Sequence, residues 1–206
     1  VTELESKIAK HQTGDTLGIG HTRWATHGEP SEANAHPHRA GNVYLVHNGI
    51  IENYKELKAR LKSHEFNSET DSEVLAALID SLYDYEVPLE TAVTQALQLV
   101  EGTYGIAVVS AREPGKIVVA RSGSPLIIGV GSDETIIASD ASALVGHTTD
   151  AIYLNDGEVA VCYPGKVDLT DLSSHPLSPI VEKIEADMSA IQKQGYDHFL
   201  LKEIME

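Results

Sequence analysis

Between Gly105 and Tyr163 the chain breaks into a succession of short apolar runs, and this is what most restricts the fold. Residues 105–109, 117–120, 126–130, 135–138, 151–154 and 159–163 are rich in Val, Ile and Ala and are bounded by Gly, Pro, Asp or Ser. That is the pattern of strands. The connections are short, so neighbouring runs are expected to pair antiparallel. The first half reads differently. Asn53 with Glu56 marks a helix start, with Leu57 and Leu61 on one face. Thr70 and Glu73 form a capping-box pattern ahead of residues 74–82. Pro88 suits a first helical position before residues 89–99. A last helix is expected over residues 180–194. Residues 17–21 and 43–47 read as strands that each deliver a polar residue at their end. Helices gathered early and strands gathered late predict an α+β fold, with no internal repeat and no linker.

At 206 residues the chain suits one domain, able to bury roughly 70% of its unfolded surface. A hydrophobic content of 42% argues for a folded globule rather than disorder. Fifteen Lys and Arg against 31 Asp and Glu leave a net charge of −16. That field repels phosphate backbones, so nucleic acid is not an expected partner. No apolar run reaches the roughly 20 residues that span a bilayer, and no signal-type segment leads the chain. One cysteine excludes an internal disulfide framework and fits a reducing compartment. The expectation is a soluble cytoplasmic protein without a membrane partner. Residues 1–8 read like the middle of a helix, and residues 198–206 stop inside an amphipathic pattern. Both ends therefore read as cut.

Two blocks carry candidate chemistry. The first is His21-Thr-Arg-Trp-Ala-Thr-His-Gly28, and the second is His47-Asn-Gly-Ile-Ile-Glu-Asn53. Asn48 can donate from its side-chain amide, and Gly49 has no side chain to keep its N–H from a reacting atom. Together they suit a tetrahedral oxyanion. Arg23 is a planar cation suited to a carboxylate. Against this, Asn-Gly after an alternating strand is the commonest short hairpin signal. Ile50 and Ile51 follow without alternation, however, and the Arg23 block precedes. The segment Asn34-Ala-His-Pro-His38 invites a metal reading, but no carboxylate or thiol is placed to complete a ligand set. No metal or cofactor is expected. Asp71 follows Ser68-Glu-Thr70 at a helix start, where it can cap the helix or face a pocket and receive an ammonium group. Cys162 lies in an apolar strand pattern with no cation beside it, so it reads as a buried structural thiol and not a nucleophile.

These residues resemble a known family. The Arg23 block, the Asn48 block and Ser68-Glu-Thr-Asp71 are similar to three signature blocks of the class II glutamine amidotransferases. Arg121-Ser-Gly-Ser-Pro-Leu126, Ala138-Ser-Asp140 and His198-Phe-Leu-Leu-Lys-Glu-Ile204 narrow the likeness. They resemble the glutaminase domain of the isomerising glutamine–fructose-6-phosphate aminotransferases, the glucosamine-6-phosphate synthases. The likeness runs through the whole chain, residues 1–206, in the family's order. It implies a four-layer αββα sandwich of the N-terminal-nucleophile hydrolase type. It also implies an enzyme in which an N-terminal cysteine attacks the amide of L-glutamine, using its own α-amino group as base. A thioester forms, ammonia leaves, and water releases glutamate. By motif, Asn48 and Gly49 would form the oxyanion hole, Arg23 would bind the substrate α-carboxylate and Asp71 its α-ammonium. Thr26 and His27 would shape the pocket, and Trp24 would lie near the passage of ammonia to a sugar-phosphate isomerase domain. A homo-oligomer is implied for the full-length protein. Arg121 and Asp140 are better read as structural.

The family's N-terminal segment with its cysteine, and the isomerase domain, have no counterpart in these residues. The sequence therefore reads as a glutaminase domain incomplete at its N-terminus, with an unpaired sheet edge where a strand belongs and no activity by itself. The other readings are a non-catalytic glutamine-binding or regulatory module, and the glutaminase of another class II enzyme. A cysteine directly after the initiator Met of the gene distinguishes enzyme from module.

Overall fold

In the computed structural model the described residues are 14–23 and 28–184. They form two antiparallel sheets packed face to face, with helices on the outer face of the larger one. That sheet contains β1 (His38–Ala40), β2 (Val43–Ile51), β3 (Gly102–Ser110), β4 (Ile117–Ser122), β8 (Glu158–Tyr163), β9 (Lys166–Asp171) and β10 (Pro176–Leu177), in the order β1-β2-β3-β4-β8-β9-β10. The smaller sheet has the order β11-β7-β5-β6. It is built from β5 (Ile127–Val130), β6 (Thr135–Ala138), β7 (Asp150–Tyr153) and β11 (Glu182–Lys183). Every strand pair is antiparallel, as the short connections imply.

The two-residue period of a strand explains why β3 and β4 read as nearly continuous apolar runs. Ile106, Val108, Val118 and Ala120 face the helices. Ala107 and Val119, with Ala160 and Cys162 of β8, face the second sheet and there meet Ile128, Ile152 and Leu154. Both faces are covered by apolar neighbours, so neither alternates with polar residues. The outer face of the small sheet carries a third cluster of Ile127, Leu144 and Ala151, under a 3-10 turn at Ala141–Leu144. The helices are α1 (Tyr54–Arg60), α2 (Asp71–Leu82) and α3 (Leu89–Leu97). Among the described residues they form the one α-helical layer, and none is long and apolar enough to cross a membrane.

Helix α2 is buried at each position from Asp71 to Ile79. Its start follows the capping pattern with one change. Thr70 Oγ1 accepts from Glu73 N at 3.2 Å, but the Glu73 carboxylate does not return to the Thr70 N–H. It accepts instead from the N–H of Asn67 (2.8 Å) and Ser68 (2.7 Å) and from the Ser68 hydroxyl (2.6 Å). Pro88 precedes α3 as its cap, one residue earlier than expected.

Two expectations are corrected, and one alternative reading does not hold. Residues 17–21 form no strand, because no described neighbour pairs with them. The helix expected over residues 180–194 is not there at residues 180–184. Pro179 precedes two β-branched residues, and Glu182–Lys183 pairs with β7 instead; residues 185–194 lie outside the described residues. The alternation ahead of Asn48-Gly49 does not end in a turn: β2 runs on through both residues to Ile51. Strands β1, β9, β10 and β11 were not expected from pattern. They are short or exposed, and their pairing rather than their composition defines them.

Candidate functional site

The site is built around β2, which outruns its outer neighbour. Strand β1 ends opposite Leu45, at His38, while β2 continues through His47, Asn48 and Gly49 against β3. The glycine is required there. Its φ is 137°, and a Cβ at this position would stand 2.1 Å from Thr103 O. No other residue fits without moving β3.

The head of the Arg23 block closes on Asn48. His21 Nε2 lies 2.6 Å from Asn48 Oδ1, and the Arg23 backbone N–H donates to His21 Nδ1 at 2.8 Å. The Asn48 NH2 group has no hydrogen-bond partner among the described residues. Arg23 has a φ of 52°. Its guanidinium donates to the carbonyls of Glu29 (3.1 Å) and Gly28 (3.3 Å). Trp24, Thr26 and His27 lie outside the described residues.

Behind Asn48 the two other blocks meet. His47 Nδ1 and His36 Nε2 both contact Ser72 Oγ, at 2.9 and 3.1 Å, and His38 Nε2 contacts Thr70 Oγ1 at 3.0 Å. The Asp71 carboxylate accepts from Ile51 N at 2.8 Å, so α2 holds β2 three residues beyond Asn48. Asn34 joins the first block to the third: its amide donates to Glu29 O at 3.0 Å and accepts from Glu69 N at 2.9 Å. Thr70 therefore caps the helix, while Asp71 bonds the strand.

Burial sets the electrostatics of this junction. It pushes His36 down to about 3, with the neighbouring His21, His38, His47 and Arg23 acting the same way. His38 is lowered by burial too, although Glu73 and Asp71 pull it upward. Burial raises the Glu73 carboxyl, but its hydrogen bonds from Asn67 and Ser68 outweigh that and hold it below the usual range. The candidate metal residues His36 and His38 are thus committed to Ser72 and Thr70, in a neutral cluster with ring centroids 4.7 Å apart.

A cavity of about 770 Å³ lies between the sheets, lined by His21, by His47, Asn48 and Cys162 of the larger sheet and by β6 of the smaller one. Arg23, Gly49 and Asp71 do not line it. Cys162 is buried, and the loss of solvation pushes its thiol up to about 12, which disfavours the thiolate that a nucleophile requires. Arg121 pairs with Asp156 at 3.3 Å and donates to Leu154 O, and Asp140 caps the turn at Ser142. The residue that pattern reading did not single out is His21, whose only signal is its place at the head of the first block.

A family model described as a glutamine amidotransferase domain matches residues 21–146, more than half of the chain. A relative from Methanosarcina acetivorans, named glutamine–fructose-6-phosphate aminotransferase (isomerizing), is 48% identical over 219 residues, covering 100% of this chain and 35% of the relative. One of the same name from Chlorobaculum tepidum is 52% identical over 199 residues, covering 94% and 32%. The chain spans about a third of the length of these curated relatives. Among solved structures, the glutamine phosphoribosylpyrophosphate amidotransferase of B. subtilis, complexed with ADP and GMP, matches with a TM-score of 0.59 and 27% identity, over 76% of this chain and 35% of that one. A structure described as the allosteric regulatory enzyme of purine biosynthesis gives 0.60 and 28%, over 75% and 35%. The two-sheet arrangement is the fold of these amidotransferases, of the N-terminal-nucleophile type that the motif blocks imply.

Proposed function

Because the chain belongs to the glutamine amidotransferase domain family, we propose that it is the glutaminase unit of an isomerising glutamine–fructose-6-phosphate aminotransferase. It releases ammonia from the side-chain amide of L-glutamine for transfer to fructose 6-phosphate. Relatives of that name match through the whole chain, whereas the two solved structures match less of it and at lower identity. The observation that carries the catalytic reading is the continuous strand through Asn48 and Gly49. An asparagine amide whose NH2 has no partner among the described residues stands at a cavity wall, beside a position that only glycine can occupy.

Thiol attack on the amide carbon places negative charge on the carbonyl oxygen. Donors already aimed at that oxygen stabilise the transition state without reorganising. Asn48 Nδ2 and the Gly49 N–H serve this role in the proposal. The zwitterion of glutamine requires one cationic and one anionic anchor, and Arg23 and Asp71 supply them. By motif, Thr26 and His27 would shape the pocket, and Trp24 would lie near the passage of ammonia. The attacking thiol is not Cys162, the single cysteine of the sequence; the chemistry uses another. The resulting thioester is hydrolysed to glutamate. In this reading residues 1–206 form one glutaminase domain. Its partners are an isomerase domain and further copies of the full-length chain, in the cytoplasm.

The test is glutamate release from glutamine by the full-length gene product. Asn48→Ala lowers kcat by roughly 10²–10³-fold, with a smaller change in KM. An unchanged kcat would remove Asn48 from the chemistry. A full-length product without glutaminase activity would favour a glutamine-binding module.

A further inference from the structure

On the proposed glutaminase reading, we propose that His21 is a positioning residue. Held as its neutral, Nε2-protonated tautomer, it sets which end of the Asn48 amide faces the substrate. The assignment follows from the donors. A backbone N–H can only donate, so the 2.8 Å contact from Arg23 N makes His21 Nδ1 a bare acceptor. The ring proton therefore sits on Nε2. The group 2.6 Å away accepts it, as a carbonyl oxygen must, and that is Asn48 Oδ1. With its oxygen engaged, the Asn48 amide turns its NH2 away from His21.

The direction matters because an asparagine amide is nearly symmetric in shape but opposite in polarity at its two ends. Flipped by a half-turn, Asn48 would present a carbonyl oxygen to a developing oxyanion and repel it. The flip would leave the volume of the site almost unchanged. Protonated His21 does not fit the arrangement either, since a proton on Nδ1 would point at the Arg23 N–H.

The ring is also held from its side. The His36 ring lies against it, with centroids 4.4 Å apart, and His36 is itself tied through Nε2 to Ser72 Oγ. His47 contacts the same hydroxyl. The network thus runs from the start of α2, through Ser72 and His36, to the ring that orients Asn48. It connects the third sequence block to the first and second through side chains that need not touch substrate.

The test uses a near-isosteric pair in the full-length gene product. A glutamine amide at residue 21 can still donate toward Asn48 Oδ1, whereas a carboxylate can only accept and favours the flipped Asn48 amide. His21→Gln is expected to keep kcat within about tenfold, while His21→Glu lowers it by roughly 10²–10³-fold with KM little changed, the loss of one oxyanion donor. His21→Glu combined with Asn48→Ala is expected to be no worse than Asn48→Ala alone, because both remove one interaction. Equal losses for Gln and Glu, or additive losses in the double variant, would overturn the assignment. Independently of turnover, nitrogen-15 NMR of histidine-labelled protein, with the His21 signal identified by its absence in His21→Gln, reports the tautomer. An Nδ1-protonated or doubly protonated ring at neutral pH overturns the inference. A wild type that fails to hydrolyse glutamine, yet shows the Nε2–H tautomer, overturns the glutaminase reading and leaves the hydrogen-bond assignment standing.

Discussion

Arg23 and Asp71 stand at the same junction but are held in different ways. The guanidinium of Arg23 reaches two exposed carbonyls, Gly28 O and Glu29 O. Asp71 is buried and bonded to the backbone of β2. Their substitutions therefore separate. On the proposed reading, Arg23→Ala in the full-length gene product is expected to remove a carboxylate anchor and cost roughly 1.5–3 kcal/mol, or about one to two decades in kcat/KM. It is also expected to leave little preference for glutamine over glutamine amidated at its α-carboxyl. Asp71→Asn is expected to weaken capture through the α-ammonium by a similar amount and to keep that preference. Comparing kcat/KM for both substrates across wild type and the two variants checks this. Full wild-type discrimination in Arg23→Ala would show that Arg23 does not read the carboxylate.

Among the elements, the start of α2 brings the blocks together, and its chemistry makes it sensitive to acid. His36 is held neutral by burial down to about 3, against 6.5 for the unfolded residue. Between those values the unfolded chain binds a proton that the native state refuses, so stability falls as pH drops below 6.5. Glu73 acts in the same direction at lower pH: its lowered carboxyl contributes stability above its unfolded value of 4.5, and that contribution is lost as it protonates. From pH 6.5 to 5 the His36 contribution is about 1 kcal/mol, allowing for its partial exposure. His36→Asn is expected to flatten the dependence of the urea midpoint on pH over that range. The surroundings that matter are His21, His38, His47 and Arg23, all of which disfavour a charge on His36. A variant with the wild-type slope would place the acid-sensitive group elsewhere.

For the molecule as a whole, the two stacked sheets keep the Cys162 thiol buried. Cys162 faces the inter-sheet core beside Val119, Ile128 and Leu154. The 206-residue chain is expected to show no thiol-dependent release of glutamate, and Cys162→Ala to change nothing in that assay. In the full-length gene product Cys162→Ala is likewise expected to leave turnover intact, and its abolition would assign Cys162 a catalytic role. That Cys162 is apolar in setting, and that antiparallel strands fill residues 105–163, could be read along the chain, because alternation, turn residues and neighbouring charges are local. The Thr70 cap was legible for the same reason, and so was the family, from residue types repeated in a fixed order. Residues 17–21 and 180–184 misled because a strand exists only where another strand accepts its hydrogen bonds, and a helix only where no sheet edge competes. Nor could spacing bring His21 to Asn48, or Asp71 to the backbone of Ile51. Those contacts join residues 27 and 20 positions apart. They form because β2 outruns β1 and α2 is buried against it, which packing decides and composition does not.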